Sequence, residues 1–290
     1  MSWRTVVISK SAKLDYQMGC MVVRQDKTVK IHLSEISNLI IETTAVSITA
    51  ALLSELTKKK VKVIFCDEKR NPSSELIPYY GCHDTSSKVR TQIKWSDEIK
   101  AAVWTEIVSE KIRKQAEHLE ELKLSEAGML REYVEELQFG DESNREGHAA
   151  KVYFNALFGN DFTRTADNSI NAALNYGYGI ILSTFNREIV ANGYITQLGL
   201  FHDNMFNQFN LGSDLMEPFR PLVDRAVVAL GPQKFEHDEK MNILELLQEE
   251  VRISDRNEYV NNAIKIYCRS VFDALNDGDP SMIKFYSYEL

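Results

Sequence analysis

Asp67-Glu68-Lys69-Arg70-Asn71-Pro72-Ser73-Ser74, then Pro78 and Gly81, then His83-Asp84-Thr85-Ser86-Ser87-Lys88: across this stretch the chain changes its hydrophobic period. The stretch is polar and rich in turn-forming residues. Upstream of it, apolar residues alternate or run in short β-branched blocks. Downstream, they recur every three or four positions. Side chains alternate faces along a strand and return to one face of a helix every third or fourth residue. The change of period therefore divides a β-rich beginning from a helical remainder.

Working back toward the N-terminus, residues 4–8, 12–16, 19–24, 28–32 and 37–42 read as short strands separated by turn-length breaks such as Arg24-Gln25-Asp26-Lys27. Residues 47–58 carry Ile48, Leu52, Leu53 and Leu56 at helical spacing. Residues 61–66 are a continuous apolar run broken only by Lys62, as in a buried strand. Strands and long helices do not alternate, which excludes a doubly wound dinucleotide-binding domain. Forward of the junction, the spacing predicts helices over 93–122, 125–138, 144–158, 168–192, 213–230, 239–252 and 255–275, with Asn192-Gly193 a natural stop for the fourth of these. The expected fold class is α+β in segregated form: a small β-rich domain over 1–82, a linker over 83–90, and a larger all-α domain over 91–290.

Composition narrows the class. The chain has 290 residues, 44% hydrophobic and 26% charged, as expected of a globular protein with buried cores. It has no apolar run of about 18 residues, so no membrane span is expected. Met1-Ser2-Trp3-Arg4 lacks a signal-peptide pattern, which makes the cytoplasm the expected location. Cys20, Cys66, Cys82 and Cys268 do not fall at CxxC spacing, which argues against a zinc ribbon or a redox pair. The net charge is −8, yet the part before residue 96 is net basic and the remainder strongly acidic. A phosphate-binding surface must then be a local patch on an acidic body. Lys58, Lys59, Lys60 and Lys62 form one basic run, readable as a DNA-tracking patch or as a solvated helix end.

Three segments carry residues suited to chemistry. In Asn144-Arg145-Glu146-Gly147-His148-Ala149-Ala150-Lys151-Val152-Tyr153-Phe154, a helix puts Glu146 on the apolar face with Ala149, Ala150 and Tyr153. A carboxylate facing the interior needs a partner: an ion pair, a hydrogen bond or a metal. In Leu198-Gly199-Leu200-Phe201-His202-Asp203, the imidazole follows an apolar run. In Ser213-Asp214-Leu215-Met216-Glu217-Pro218-Phe219-Arg220-Pro221, Asp214 and Glu217 lie three apart on one helical face. Singly, each has an ordinary explanation: a capping or ion-paired glutamate, a hydrogen-bonded core histidine, acids complementing a helix dipole. Jointly, two or three carboxylates and one imidazole suit Mg²⁺ or Mn²⁺, with the imidazole favouring Mn²⁺. One histidine without cysteine does not suit structural zinc.

At these segments the chain resembles the CRISPR-associated spacer integrases, the first and near-universal protein of the CRISPR adaptation machinery. Arg145 to Phe154 resembles the first metal-ligand motif of that family. Asp167-Asn168-Ser169-Ile170-Asn171-Ala172-Ala173-Leu174-Asn175-Tyr176-Gly177-Tyr178-Gly179 resembles its central helix. Leu198 to His202 with Asp214 to Asp224 resembles the remaining ligand region. The likeness spans almost the whole chain, and the opening Trp3-Arg4-Thr5-Val6-Val7-Ile8 is most similar to members from type II systems.

The resemblance implies that Glu146, His202 and Glu217 are catalytic metal ligands, with glutamate at a last position that is aspartate in some members. It implies that Asp214 is a further ligand or a supporting acid. Asn175 and Tyr176 are implied substrate contacts, with helix packing as the competing explanation. The implied reaction is attack of a DNA 3′-hydroxyl on a phosphodiester at the edge of a repeat, with cleavage of branched DNA as its reverse or hydrolytic form. Implied partners are double-stranded DNA fragments and CRISPR repeat DNA. Also implied are a homodimer formed through the N-terminal domain and a heterohexamer in which two such dimers flank a small dimeric adaptation protein. Type II likeness adds the effector nuclease and other type II adaptation proteins. Two competing functions predict different behaviour: a non-catalytic DNA-binding assembly protein would retain function without Glu146, and a metal-dependent hydrolase of small phosphorylated molecules would turn over without DNA.

Overall fold

Alternation in the first 66 residues resolves into two small sheets. In the computed structural model, which describes residues 4–68, 70–78 and 82–288, strands β1 (Arg4–Ile8), β2 (Ala12–Gln17), β3 (Cys20–Arg24), β4 (Thr28–His32), β5 (Ile36–Ile41) and β6 (Val46–Ile48) precede helix α1 (Ala50–Lys58). Strands β7 (Lys62–Cys66) and β8 (Pro72–Glu75) follow it. Trp3, Lys69 and Gly81, quoted above, lie outside the described residues. One sheet has the order β1-β5-β7-β8 and the other β4-β3-β2-β6. Strand β5 is buried along its whole length, because it is parallel to β1 on one side and β7 on the other. Its two polar residues are accommodated by hydrogen bonds: Ser37 Oγ donates to Arg4 O at 3.2 Å and Asn38 Nδ2 to Thr5 Oγ1 at 3.3 Å. Leu14, Met21, Ile36, Leu39, Leu52, Leu56 and Val63 form the core. Lys62 is buried and paired with Glu75, so it leaves the basic run at 58–62. Pro72 opens β8, the edge strand, where the missing N–H costs least.

Residues 1–85 with 190–193 form one compact unit, and 86–189 with 194–290 form a second. The second unit contains α2 (Thr85–Ile93), which begins at the last residue of the first, and α3 (Asp97–Glu121). Next come α4 (Ala127–Glu135), α5 (Arg145–Phe158), α6 (Ser169–Ala191), α7 (Asn210–Leu215), α8 (Arg220–Leu230) and α9 (His237–Glu245). Helix α3 is the spine of this unit. Ser96 Oγ caps its start by accepting from Ile99 N at 3.3 Å, and the buried side chains include Trp104, Ile107, Val108, Lys111, Gln115, His118 and Leu119. Helix α6 ends at Ala191, with Gly193 at φ 88° two residues on.

Two helical expectations need correction. The helix expected over 213–230 is two helices, because Pro218 opens a new turn and cannot donate to the preceding one; Glu217–Phe219 forms a short 3-10 turn between α7 and α8. Residues 249–259, divided between two expected helices, instead form a hairpin of β9 (Glu250–Ile253) and β10 (Arg256–Tyr259), so the second unit is helical but not all-α. Ser254 and Asp255 both have positive φ, 53° and 61°, as a two-residue hairpin turn requires. Val251 and Ile253 are buried while Glu250 and Arg252 are exposed, a period of two. Helix α10 (Val260–Asp277) then closes the unit. Among the described residues no helix is long and apolar enough to cross a membrane.

His118 gives this core an acid-sensitive element. It is buried, and its Nδ1 lies 2.7 Å from Tyr153 Oη. Burial, reinforced by the Arg225 charge, pushes the imidazole from 6.5 down to about 4. A base held neutral by the fold stabilises it fully above the unfolded value near 6.5, and that stability drains away as pH falls toward 4. The Tm of the protein is expected to drop across that window. His118→Gln, which keeps a polar partner for Tyr153, is expected to flatten that part of the Tm–pH curve. An unchanged acid slope in the variant would contradict this.

Candidate metal centre

The second unit contains a cavity of about 290 Å³ whose walls include Lys111, Glu146, Arg164, His202, Glu217 and Asp224. Glu146 comes from the first turn of α5. Its position is set by Asp141, whose buried carboxylate accepts from Arg145 N at 2.6 Å and Glu146 N at 3.1 Å. These are N–H groups the helix itself cannot satisfy. Capping therefore falls to Asp141, Arg145 pairs with Glu136, and the Glu146 side chain reaches across to Lys111 on α3. Glu217, 4% exposed, enters from the 3-10 turn after α7. Its Oε1 accepts from Arg220 Nε at 2.8 Å, and its Oε2 lies 2.5 Å from Lys111 Nζ.

The ammonium of Lys111 thus bridges two carboxylates from sequence-distant elements. Burial acts to lower the Lys111 pKa, but Glu217 and Glu146 more than offset it and hold it above the ordinary lysine value. Burial likewise acts to raise Glu217, and Arg220 with Lys111 overcomes it, so this carboxyl stays ionised below its usual range. Asp224 shows the opposite balance. Burial lifts it to about 6 despite the hydrogen bond from Tyr178 Oη.

His202 is oriented by Asp214. The Asp214 carboxylate, fully buried near the end of α7, accepts from three successive backbone amides: Leu200 N at 2.5 Å, Phe201 N at 3.2 Å and His202 N at 3.1 Å. Its Oδ1 also meets His202 Nδ1 at 2.5 Å. That hydrogen bond raises the imidazole pKa against partial burial. With Nδ1–H given to the carboxylate, Nε2 is the nitrogen free to bind a ligand, the arrangement typical of metal-binding histidines. Gly199 permits the wrap, since a Cβ there would stand 2.7 Å from Asp214 Oδ2 and closer still to His202 O. Asp214 is in the last turn of its helix, so it is not a complement to a helix N-terminus, and its lone pairs are spent on the loop it anchors.

Glu146, His202 and Glu217 therefore share one cavity, with Asp214 behind His202. Asn175 and Tyr176 do not line it. Asn175 is exposed and accepts from Arg164 Nη2 at 2.8 Å, while Tyr176 is buried against Phe235 at 5.6 Å between ring centroids. The residue of that helix on the cavity wall is Tyr178. Gly177 lets α8 approach, because a Cβ would collide with Val223.

Lys111, Arg164 and Tyr178 are cavity residues to which sequence reasoning assigned no role. Lys111 had a legible signal: it lies four residues from both Ile107 and Gln115, on the buried stripe of α3.

The donor set suits a divalent cation: two carboxylates, one oriented imidazole, and a point between the acids that a positive charge already occupies. Among the described residues, the three ligand atoms found within 4.8 Å of one another belong instead to Cys82, His83 and Asp84 in the first unit. Glu146, His202 and Glu217 do not meet that spacing, and Lys111 stands between the two acids.

Comparison with known proteins agrees over most of the chain. A family model described as CRISPR associated protein Cas1 matches residues 5–250. A curated CRISPR-associated endonuclease Cas1 from Neisseria meningitidis serogroup C is 37% identical over 235 residues, covering 80% of this chain and 77% of that protein. A casposase bound to its integration product has the same fold, with a TM-score of 0.78 at 16% identity over 96% of this chain and 92% of the other. The fold also matches a chain of a Cas6-RT-Cas1–Cas2 complex, with a TM-score of 0.75 at 17% identity over 99% of this chain, which spans 36% of that longer one.

Lys111→Met would leave two carboxylates facing each other without their cation, an imbalance of about 3–5 kcal/mol in buried pairs. In chelator the variant is expected to melt well below the native chain, and Mn²⁺ is expected to raise its Tm more than it raises the native Tm. Equal responses to Mn²⁺ in the two proteins would contradict the shared role of these acids.

Proposed function

This chain belongs to the CRISPR-associated Cas1 family, and from that membership we propose that it is a metal-dependent DNA integrase and endonuclease of CRISPR adaptation, joining short DNA fragments into a repeat array. The observation that carries this reading is the meeting of Glu146 and Glu217 at Lys111, in a cavity that His202 also lines.

Glu146, His202 and Glu217 would hold the cation. When bound, a divalent ion withdraws charge from a phosphodiester and stabilises oxyanions as they form or depart. The reaction suited to this site is transesterification. A DNA 3′-hydroxyl oxygen forms a bond to phosphorus as the bond to another 3′-oxygen breaks, and the attacking hydroxyl's proton ends on the departing oxygen or in solvent. No covalent bond to the protein is needed. With water as nucleophile, the same site cleaves branched DNA.

The chain's own residues do the positioning. Asp214 fixes the ring and tautomer of His202, so it acts as a supporting acid behind the ligand. Arg220 holds Glu217 in its ionised form, and Lys111 keeps the two carboxylates directed at one point. Either Mg²⁺ or Mn²⁺ satisfies an oxygen-rich set, and the imidazole tilts the preference to Mn²⁺. In the assembly we propose, the β-rich unit forms a homodimer. Two such dimers flank a small dimeric partner of the Cas2 kind, giving a heterohexamer that binds the DNA and acts in the cytoplasm. The effector nuclease and other type II adaptation proteins would join it in target choice.

The test is joining of a labelled short duplex to a repeat-containing plasmid. Native protein is expected to join strands with Mn²⁺ and to stop in chelator. Glu146→Gln is expected to reduce joining by a factor of about 10³ or more, the scale of losing a principal charge-stabilising group, while its Tm and DNA affinity stay near native. Joining that persists in chelator or in Glu146→Gln would overturn the mechanism.

A further inference from the structure

The cavity holds three cationic side chains, and two of them are committed to acids. Lys111 bridges Glu146 and Glu217, and Arg220 binds Glu217. Arg164 is different. It sits in the segment between α5 and α6, and its two terminal nitrogens donate to neutral amide oxygens, Nη1 to Asn171 Oδ1 and Nη2 to Asn175 Oδ1. Among the described residues no carboxylate pairs with it, although Glu146, Glu217 and Asp224 line the same walls.

Its placement is set by neighbouring side chains. The guanidinium carbon lies 5.6 Å from the ring centroid of Phe154 and 5.3 Å from that of Tyr178. Asn171 is itself pinned, its Nδ2 donating to Thr163 O and to Ala166 O at 2.8 Å each, which ties the Arg164 loop to α6. A guanidinium has five N–H donors, and two are used here, so donors remain for an anion.

We propose that Arg164 is a phosphate-binding residue of this cavity, gripping a non-bridging oxygen of the phosphodiester presented to the carboxylate cluster, and that Asn175 is the positioning residue that aims it. This rests on the DNA-joining function proposed above. A fork with no carboxylate hydrogen-bonded to it, beside an acid cluster, matches the two non-bridging oxygens of a phosphodiester, which a lysine would meet only as a point charge. Neutral asparagine partners serve this purpose because they orient the fork without cancelling its charge. Asn175 therefore acts through Arg164.

The test is binding of a branched DNA duplex to the full chain in chelator, followed by fluorescence anisotropy across a salt series. Two duplexes are compared, one with the natural phosphodiester at the branch and one with a neutral methylphosphonate there. Native protein is expected to bind the methylphosphonate duplex more weakly. Arg164→Ala is expected to bind both duplexes alike, and its log-affinity against log-salt slope is expected to be shallower by about one. Asn175→Asp keeps a hydrogen-bond acceptor but supplies the missing negative charge, so it is expected to retain the native Tm and yet lose discrimination between the duplexes. A merely structural asparagine would tolerate aspartate without that loss. Arg164→Lys is expected to keep most of the salt slope but to join strands at least about tenfold more slowly.

Methylphosphonate sensitivity that survives in Arg164→Ala, or in Asn175→Asp, would overturn the proposal. Glu146→Gln separates it from the reading beneath it, since that variant should lose joining and keep the discrimination. A native chain that neither binds the branch nor joins strands would overturn both.

Discussion

A buried carboxylate, Glu217, and a partly buried one, Glu146, stand side by side, and one lysine in the middle of a 25-residue helix makes that possible. Isolated buried charges are prohibitively costly, whereas charges that compensate one another are tolerated when hydrogen bonds satisfy what remains. Lys111 and Arg220 meet that condition for Glu217, and Lys111 meets it for Glu146. The requirement binds three parts of the second unit together. Helix α3 must present Lys111, α5 must begin where Asp141 caps it, and the break at Pro218 must put Glu217 on the correct side of its turn.

The same economy of partners explains the loop that carries His202. Asp214 is fully buried, and its cost is met by three backbone N–H groups and one imidazole. A loop folded around a buried carboxylate has little freedom, so the ring it holds is oriented before any ligand arrives. Preorganisation of this kind matters for phosphoryl chemistry, where positioning and electrostatics provide most of the catalysis. Arg164 extends the pattern to the substrate side, where an oriented charge is left uncancelled.

Most of the fold was legible because period reports face. The strands at 4–8, 12–16, 28–32 and 61–66 fall on β1, β2, β4 and β7 to within a residue, since half-buried strands must alternate and a doubly covered one must run apolar. The hairpin at 250–259 was not legible as such. Its two apolar residues, Val251 and Ile253, also fit the end of a helix, and Ser254-Asp255 adopts positive φ without the glycine that usually announces it. Of the site, the residue types were visible but their convergence was not, and only family resemblance joined Glu146, His202 and Glu217. Lys111 was hidden among the lysines and glutamates of α3, most of which look like a solvated face. Lys62 misled in the reverse sense, as a member of a basic run that in fact lies buried against Glu75. Asn175 was singled out as a substrate contact or a helix-packing residue, and its hydrogen bond from Arg164 was visible in neither reading.

Everything functional rests on Glu146, His202 and Glu217 closing on one divalent ion. Direct observation of that ion by electron paramagnetic resonance during Mn²⁺ titration decides the matter. One tight Mn²⁺ per chain is expected, weakened at least about tenfold in His202→Ala and in Glu217→Gln, as loss of one ligand requires, and unaffected by Cys82→Ser. Tight binding that survives both ligand substitutions, or that disappears with Cys82→Ser, would place the ion elsewhere and contradict the site.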